Sequence, residues 1–262
     1  MKTKEVIDYL NTTFHPEYQE DYDNAGFLLG NAQSEYRGTL VALDLTPAVV
    51  DEAVELGMSL IVTHHPFIFT GVKRLTDSSE TGRMTMKLIK NDICVYAAHT
   101  NLDNLPDGVN GILSEKLGLL NCRILKPFAT DSNLGAGMVG ELAEAMAVED
   151  FLQKVKAVTG IPFIRVAPLP TTHHTIKRVA LCGGSGSEFI GDALAAKADI
   201  YLTADLKYHD FQRTGGRMVL ADIGHYESEQ FAKEIIFRAI LEKFSNFACR
   251  ISETQQGVVK YI

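Results

Sequence analysis

Apolar residues gather in short runs joined by stretches of helical spacing, most clearly between positions 39 and 69. Residues 39–45 form a mostly apolar run that suits a buried strand. Thr46 is placed to cap a helix whose first turn holds Pro47, and Gly57 to stop it before a second apolar run at 60–62. A crossover helix of that size predicts that the second strand runs parallel to the first. Its carboxyl end then delivers Thr63, His64, His65 and Pro66 into a loop, where open α/β sheets place their ligand sites.

The same order returns later. Residues 178–181 read as a strand, 182–187 as a Gly/Ser loop, 189–197 as a helix and 199–203 as a further strand. Aligning Thr63 with Thr203 brings Val41 close to Val179, with spacings of 22 and 24 residues, a difference assigned to the longer glycine loop. This suggests a degenerate internal duplication, although every α/β protein repeats such units. Between the copies, residues 93–98 predict a short strand leading into His99, and 108–117 a helix. The Gly-, Ser- and Asp-rich stretch 126–140 is the candidate crossing into a second lobe. Residues 149–158 have helical spacing. The chain then reads as a strand at 218–223 followed by one long helix at about 226–244, with Phe231, Ile235 and Ala239 on one face. The expectation is an α/β protein of two interlinked lobes of related topology with mixed and parallel sheets. One lobe comprises 1–125 plus 222–262, the other 126–221.

Composition narrows the function. With 46% hydrophobic and 22% charged residues among 262, the chain has material for a full core. The 33 acidic against 25 basic residues, net −8, disfavour a phosphate-tracking surface, so nucleic acid is not an expected partner. Cys94, Cys122, Cys182 and Cys249 are far apart, form no Cys-x-x-Cys, and read as reduced thiols. No apolar stretch approaches the ~20 residues of a membrane span and the first ten residues lack signal-peptide character, so a soluble, cytoplasmic protein is expected.

Three segments carry chemistry. Adjacent residues on a straight strand face opposite ways, so His64 and His65 converge only where the backbone turns, which Pro66 encourages. Taken alone, the pair also fits two histidines at a loop entrance. In His225-Tyr-Glu-Ser-Glu229, His225 and Glu229 share one helical face, and a carboxylate reaching back can bridge two cations. The alternative, acidic residues answering the helix dipole, explains the glutamates but not His225. The third segment, His99 to Asp103, adds an anionic oxygen ligand. Two dications at ~3.5–4 Å repel, so a dinuclear site needs carboxylates beside imidazoles. His64, His65, Asp103, His225 and Glu229 supply both, with His99 nearby either supporting a ligand or transferring protons.

Other features read more weakly. The Cys-Gly-Gly-Ser-Gly-Ser stretch at 182–187 lacks the Lys-Ser/Thr of a P-loop, and its Gly184 and Ser185 are candidate substrate contacts or part of a tight turn. Asp205 and His209, four apart after a strand end, are further candidate substrate contacts. His173 and His174 sit in a Pro/Thr-rich connector and are expected to be exposed. Asp23 and Asn24, before Gly26, fit an Asx turn as well as a site.

Together Thr63-His-His-Pro66, His99-Thr-Asn-Leu-Asp103, Gly183-Gly-Ser-Gly186, Thr203-Ala-Asp205 with His209, and Gly224-His-Tyr-Glu-Ser-Glu229 resemble the GTP cyclohydrolase I type 2 homologue family, in that family's order. The resemblance runs from Asp23-Asn-Ala-Gly26 nearly to the C-terminus. It implies a two-lobe α/β protein with two divalent metal ions per subunit, zinc, iron or manganese, assembled as a ring-shaped homohexamer. It gives His64 and Asp103 to one metal, His65 and His225 to the other, and Glu229 to both. Residues 140–177 leave little room for the middle domain of many relatives, so the compact form is expected. Ala204 stands where the family pattern has glycine, which puts the backbone at that strand end in question.

The implied reaction is hydrolysis, a metal-activated water attacking a purine nucleotide ring or a related substrate, with His99 or His209 moving protons. The alternative is a metal-binding or regulatory protein of the same ring-forming family with no catalytic role.

Overall fold

The strand that opens the first repeat, Gly38–Ala42, is buried at all five positions, which is why it reads as a mostly apolar run and not as an alternation. The computed structural model describes residues 1–167, 175–254 and 257–262; His173 and His174 lie outside the described residues. In chain order the first half holds α1 (Thr3–Phe14), β1 (Gly26–Leu29), β2 (Gly38–Ala42), α2 (Pro47–Glu55), β3 (Leu60–Thr63), α3 (Glu80–Lys90), β4 (Cys94–Ala97), α4 (Thr100–Asp103), α5 (Val109–Lys116) and β5 (Leu120–Pro127). The second half holds β6 (Gly135–Ala147), α6 (Val148–Thr159), β7 (Arg165–Val166), β8 (Thr175–Ser185), α7 (Ile190–Ala195), β9 (Ile200–Ala204), β10 (Val219–Asp222), α8 (His225–Glu229), α9 (Ala232–Lys243) and β11 (Ala248–Ile251).

These elements divide into two compact units, Met1–Leu102 with Ala232–Gln256, and Asp103–Phe231 with Gly257–Ile262. The boundaries differ from the expected 1–125 plus 222–262 and 126–221. Residues 103–125 join the second unit because β5 pairs antiparallel with β6, so the glycine-rich stretch at 126–140 is a hairpin within that unit and not a crossing. Residues 222–231 join it through β10, which pairs parallel with β9.

The first unit is built on a sheet of order β1-β4-β3-β2-β11, parallel throughout except for β1, which is antiparallel to β4. Thr46 caps α2 by accepting from the Val49 amide at 3.3 Å, and Gly57 ends that region at φ +66°, as the residue types require. Leu40, Val49, Val50, Ala53, Ile61 and Leu88 close the core between this sheet and helices α2 and α3.

The second unit has a mixed sheet of order β5-β6-β8-β9-β10-β7, in which β8, β9 and β10 are parallel. Its core includes Ala180, Ile190, Ala193, Tyr201 and Leu220. The described part of residues 140–177 forms the end of β6, α6, the short β7 and the start of β8, with no further domain.

Three expectations need correction. The 182–187 stretch is not simply a loop, because β8 continues to Ser185. The final long helix is two, since the helical pattern is interrupted by a turn at Gln230 and Phe231 between α8 and α9. The repeat also aligns differently. Val41 pairs with Val62 next to Thr63, and Leu181 pairs with Leu202 next to Thr203, so the partner of Val41 is Leu181 and 22 residues follow in both copies. The glycines enter after that point, where Leu181 to Ser185 on β8 spans only Leu202 to Ala204 on β9, a bulge.

Candidate metal centre

In the first unit the end of β3 turns as soon as its ladder ends. The His64 and His65 amides donate to Leu43 O at 3.1 and 2.9 Å, and Thr63 Oγ1 donates to His65 O at 2.7 Å. This bend lets two consecutive imidazoles converge. Their ring centroids lie 4.9 Å apart, and His99, just past β4, lies 5.3 and 5.4 Å from them. Donor atoms of all three fall within 4.8 Å of one another.

Each ring is held from behind. His64 Nδ1 donates to Ala98 O at 2.7 Å, His65 Nδ1 is 2.6 Å from Asp44 Oδ1, and His99 Nδ1 is 2.7 Å from Asp23 Oδ1. A carbonyl or carboxylate behind Nδ1 fixes the tautomer that turns the Nε2 lone pair toward the cluster, where it can accept a metal or a proton. Asp23 is itself held. Burial raises its pKa, but hydrogen bonds and charge from His99, with further bonds from Thr100 and the Asn24 amide, outweigh that and bring it down to about 2.

The second unit has a group of its own that includes carboxylates. Asp103 ends α4, and α8 brings His225 Nε2 to 2.9 Å from Glu229 Oε2, one turn apart. Oxygens of Asp103 and Glu229 lie within 4.8 Å of each other, and Glu229 is only 3% exposed. His225 Nδ1 meets Asp205 Oδ2 at 2.7 Å.

The bulge of β8 forms the floor beneath Glu229. Gly184 takes φ +62°, and a Cβ there would stand 2.0 Å from Glu229 Oε1, so conformation and space both demand glycine. Its amide donates to Ser228 Oγ at 3.0 Å and its carbonyl accepts from Thr203 Oγ1 at 3.1 Å. The Gly183 amide donates to Asn110 Oδ1, while Asn110 Nδ2 donates to the Asp103 carbonyl, linking both carboxylate segments to one backbone. Beside them Cys182 stays a thiol, its pKa raised by burial and then by the negative charge of Asp103, Glu229 and Glu188.

The donor types fit a divalent cation. Two neighbouring carboxylates in a mostly buried setting repel unless positive charge lies between them, and backed neutral imidazoles are borderline ligands suited to zinc, iron or manganese.

Other sequence candidates find different places. Asp205 backs His225 at a left-handed φ of 56°, while Ala204 remains in β9, which resolves the backbone question raised at that position. Gly184 lies beneath Glu229. Ser185 is exposed at the end of β8, and His209 is on an exposed turn, edge-on to Tyr208 at 5.2 Å; neither belongs to a donor group. Asp23 combines both of its readings, accepting from the Asn24 amide at 2.7 Å as well as backing His99. Asp44 was missed by the sequence reading. Its only signal is its position two residues past the end of β2, the strand beside β3.

A Clostridium perfringens protein named GTP cyclohydrolase 1 type 2 homolog is 36% identical over 232 residues, 87% of each chain. A Streptomyces coelicolor protein of the same name is 36% identical over 236 residues, 87% of this chain and 81% of that one. The crystal structure of a Staphylococcus aureus hypothetical protein superposes with a TM-score of 0.90 at 30% identity, covering 100% of this chain and 99% of that one. The family model described as Duf34/NIF3 (NGG1p interacting factor 3) matches residues 1–257, through every donor segment named above, and to that family the chain belongs.

Proposed function

We propose that the protein is a dinuclear metal-dependent hydrolase, GTP cyclohydrolase I type 2-like, with His64, His65, Asp103, His225 and Glu229 as ligands and Glu229 as the bridge. The observation that carries the reading is the backing of the three ligand histidines, His64, His65 and His225, by a carboxylate or carbonyl at Nδ1, which commits Nε2 to ligation. Two such ions supply Lewis acidity and a water acidic enough to ionise near neutral pH.

The chain's own residues do the rest. Glu229, seated on Gly184, holds negative charge where two cations need it. Asp44 and Asp205 keep His65 and His225 in the ligating tautomer. His99, held by Asp23, carries a proton at Nε2 to or from the reacting group. The exposed Asp205, His209 and Ser185 stand as the proposed substrate contacts, while Gly184, the fourth sequence candidate, serves as the seat of Glu229. The names of the relatives support a purine nucleotide as the substrate to try first. The same family resemblance supports a ring-shaped homohexamer, which sedimentation of the intact protein tests. No described helix is long and apolar enough to cross a membrane.

The test is elemental analysis of protein purified without chelator, followed by GTP and a nucleotide panel, with Glu229→Ala alongside. About two metal ions per chain and formate release in the wild type, both lost in Glu229→Ala, support the reading. Metal retained in the wild type without turnover of any substrate replaces it with the metal-binding or regulatory role.

A further inference from the structure

Two exposed aromatic side chains stand beside the imidazole cluster of the first unit. Phe69, on the loop that follows His64 and His65, has its ring centroid 6.1 Å from that of His99, with the planes at 77°. Tyr22, next in sequence to the Asp23 that backs His99, lies 6.3 Å from Phe69 at 46°. They are 44% and 63% exposed, respectively. Rings so tilted do not stack on each other, so each keeps apolar surface toward solvent.

These positions are held by hydrogen bonds. Asn24 Nδ2 donates to Ile68 O at 2.6 Å, joining the two aromatic-bearing loops one residue before Phe69. The Ala25 amide donates to Gln19 Oε1 at 2.7 Å, and Asp23 anchors the same loop to the His99 ring and the Thr100 amide. Two anchored loops thus hold aromatic side chains partly in water next to candidate ligating groups, where each ring forgoes much of the free energy of burial.

We infer that Tyr22 and Phe69 form a stacking platform that receives the planar heteroaromatic ring of a small-molecule substrate beside His99. This rests on the hydrolase reading and gives it a specificity element: a ring-bearing substrate is preferred over its ringless phosphate or ester counterpart. Aromatic faces suit such a ring because stacking tolerates any planar base and needs no particular hydrogen-bond pattern.

The experiment is calorimetric titration of the metal-loaded protein with GTP, guanosine and tripolyphosphate, comparing wild type with Phe69→Ala, Phe69→Leu and Tyr22→Ala. Both positions are exposed, so the variants should fold; unchanged melting temperature and bound metal verify this. Loss of a stacking ring should weaken GTP and guanosine binding roughly 5- to 150-fold and leave tripolyphosphate unchanged. Phe69→Leu, which keeps bulk without a π face, should fall with Phe69→Ala. The platform is overturned if wild type binds tripolyphosphate as tightly as GTP, or if the variants bind GTP as wild type does. Ring-dependent GTP binding without formate release would uphold the platform and defeat hydrolysis, so the two failures are distinguishable.

Discussion

Asp44 Oδ1 lies 2.6 Å from His65 Nδ1, and the corresponding hydrogen bond of the other unit runs from His225 Nδ1 to Asp205 Oδ2 at 2.7 Å. Each carboxylate aligns an imidazole that offers its far nitrogen. Asp44→Asn and Asp205→Asn should each lower metal affinity about 10- to 100-fold with the fold intact. Competition against a chromophoric chelator measures this. Affinities equal to wild type would assign the pairs to the surface and not to a metal centre.

Gly184 is the position where added bulk acts on Glu229. Gly184→Ala places a methyl group 2.0 Å from Glu229 Oε1 on a backbone at φ +62°. The expected cost is about 1–3 kcal/mol of stability together with loss of bound metal. Thermal unfolding and metal analysis of the same preparation should fall together. A variant with wild-type metal content would mean that Glu229 has another seat.

Asp23 sets an acid limit. Its pKa falls from an ordinary 3.8 to about 2, so the folded state holds the proton less tightly than the unfolded state. The resulting stability is fully present above about pH 4 and disappears as pH drops through about 2. Its size is on the order of 2 kcal/mol. In Asp23→Asn, the difference in urea midpoint from wild type should be present at pH 6 and shrink between pH 4 and pH 2. A difference constant with pH would remove Asp23 from the acid transition.

Thiol chemistry reports on the interior of the second unit. Burial and neighbouring carboxylates keep Cys182 protonated, whereas Cys122 is exposed. Iodoacetamide at pH 8 should alkylate Cys122 in the native protein and reach Cys182 only on unfolding, as peptide mass mapping would resolve. Equal labelling rates would mean that the floor beneath Glu229 is open to solvent.

Much of this was legible from residue order. The cap at Thr46, the stop at Gly57 and the apolar runs on either side define β2, α2 and β3, and local chemistry suffices for them. His64, His65 and His99 were legible for the same reason, since strand ends announce themselves. Asp44 was not, because its role arises only when β2 and β3 pair and bring residues 21 apart together. Register also exchanges the parts of the repeat. With Val41 matched to Leu181, His65 matches Asp205, so the imidazole of one copy stands where the other copy has the carboxylate that supports an imidazole from α8. The break between α8 and α9 was hidden because Phe231, in the turn itself, keeps the helical spacing of Ile235 and Ala239 in α9.

The pairing of Gly38 with Ala248 bears on how the protein is made. A ribosome that has released β2 must add about 200 more residues before β11 emerges, roughly 10–40 s at ordinary elongation rates. Through that interval one edge of the first sheet, at Thr39, Leu40 and Val41, has no mate, and the nascent chain exposes a largely apolar ribbon able to capture strangers. Chaperone demand during synthesis should therefore centre on the earliest-made sheet, which is the last to be completed.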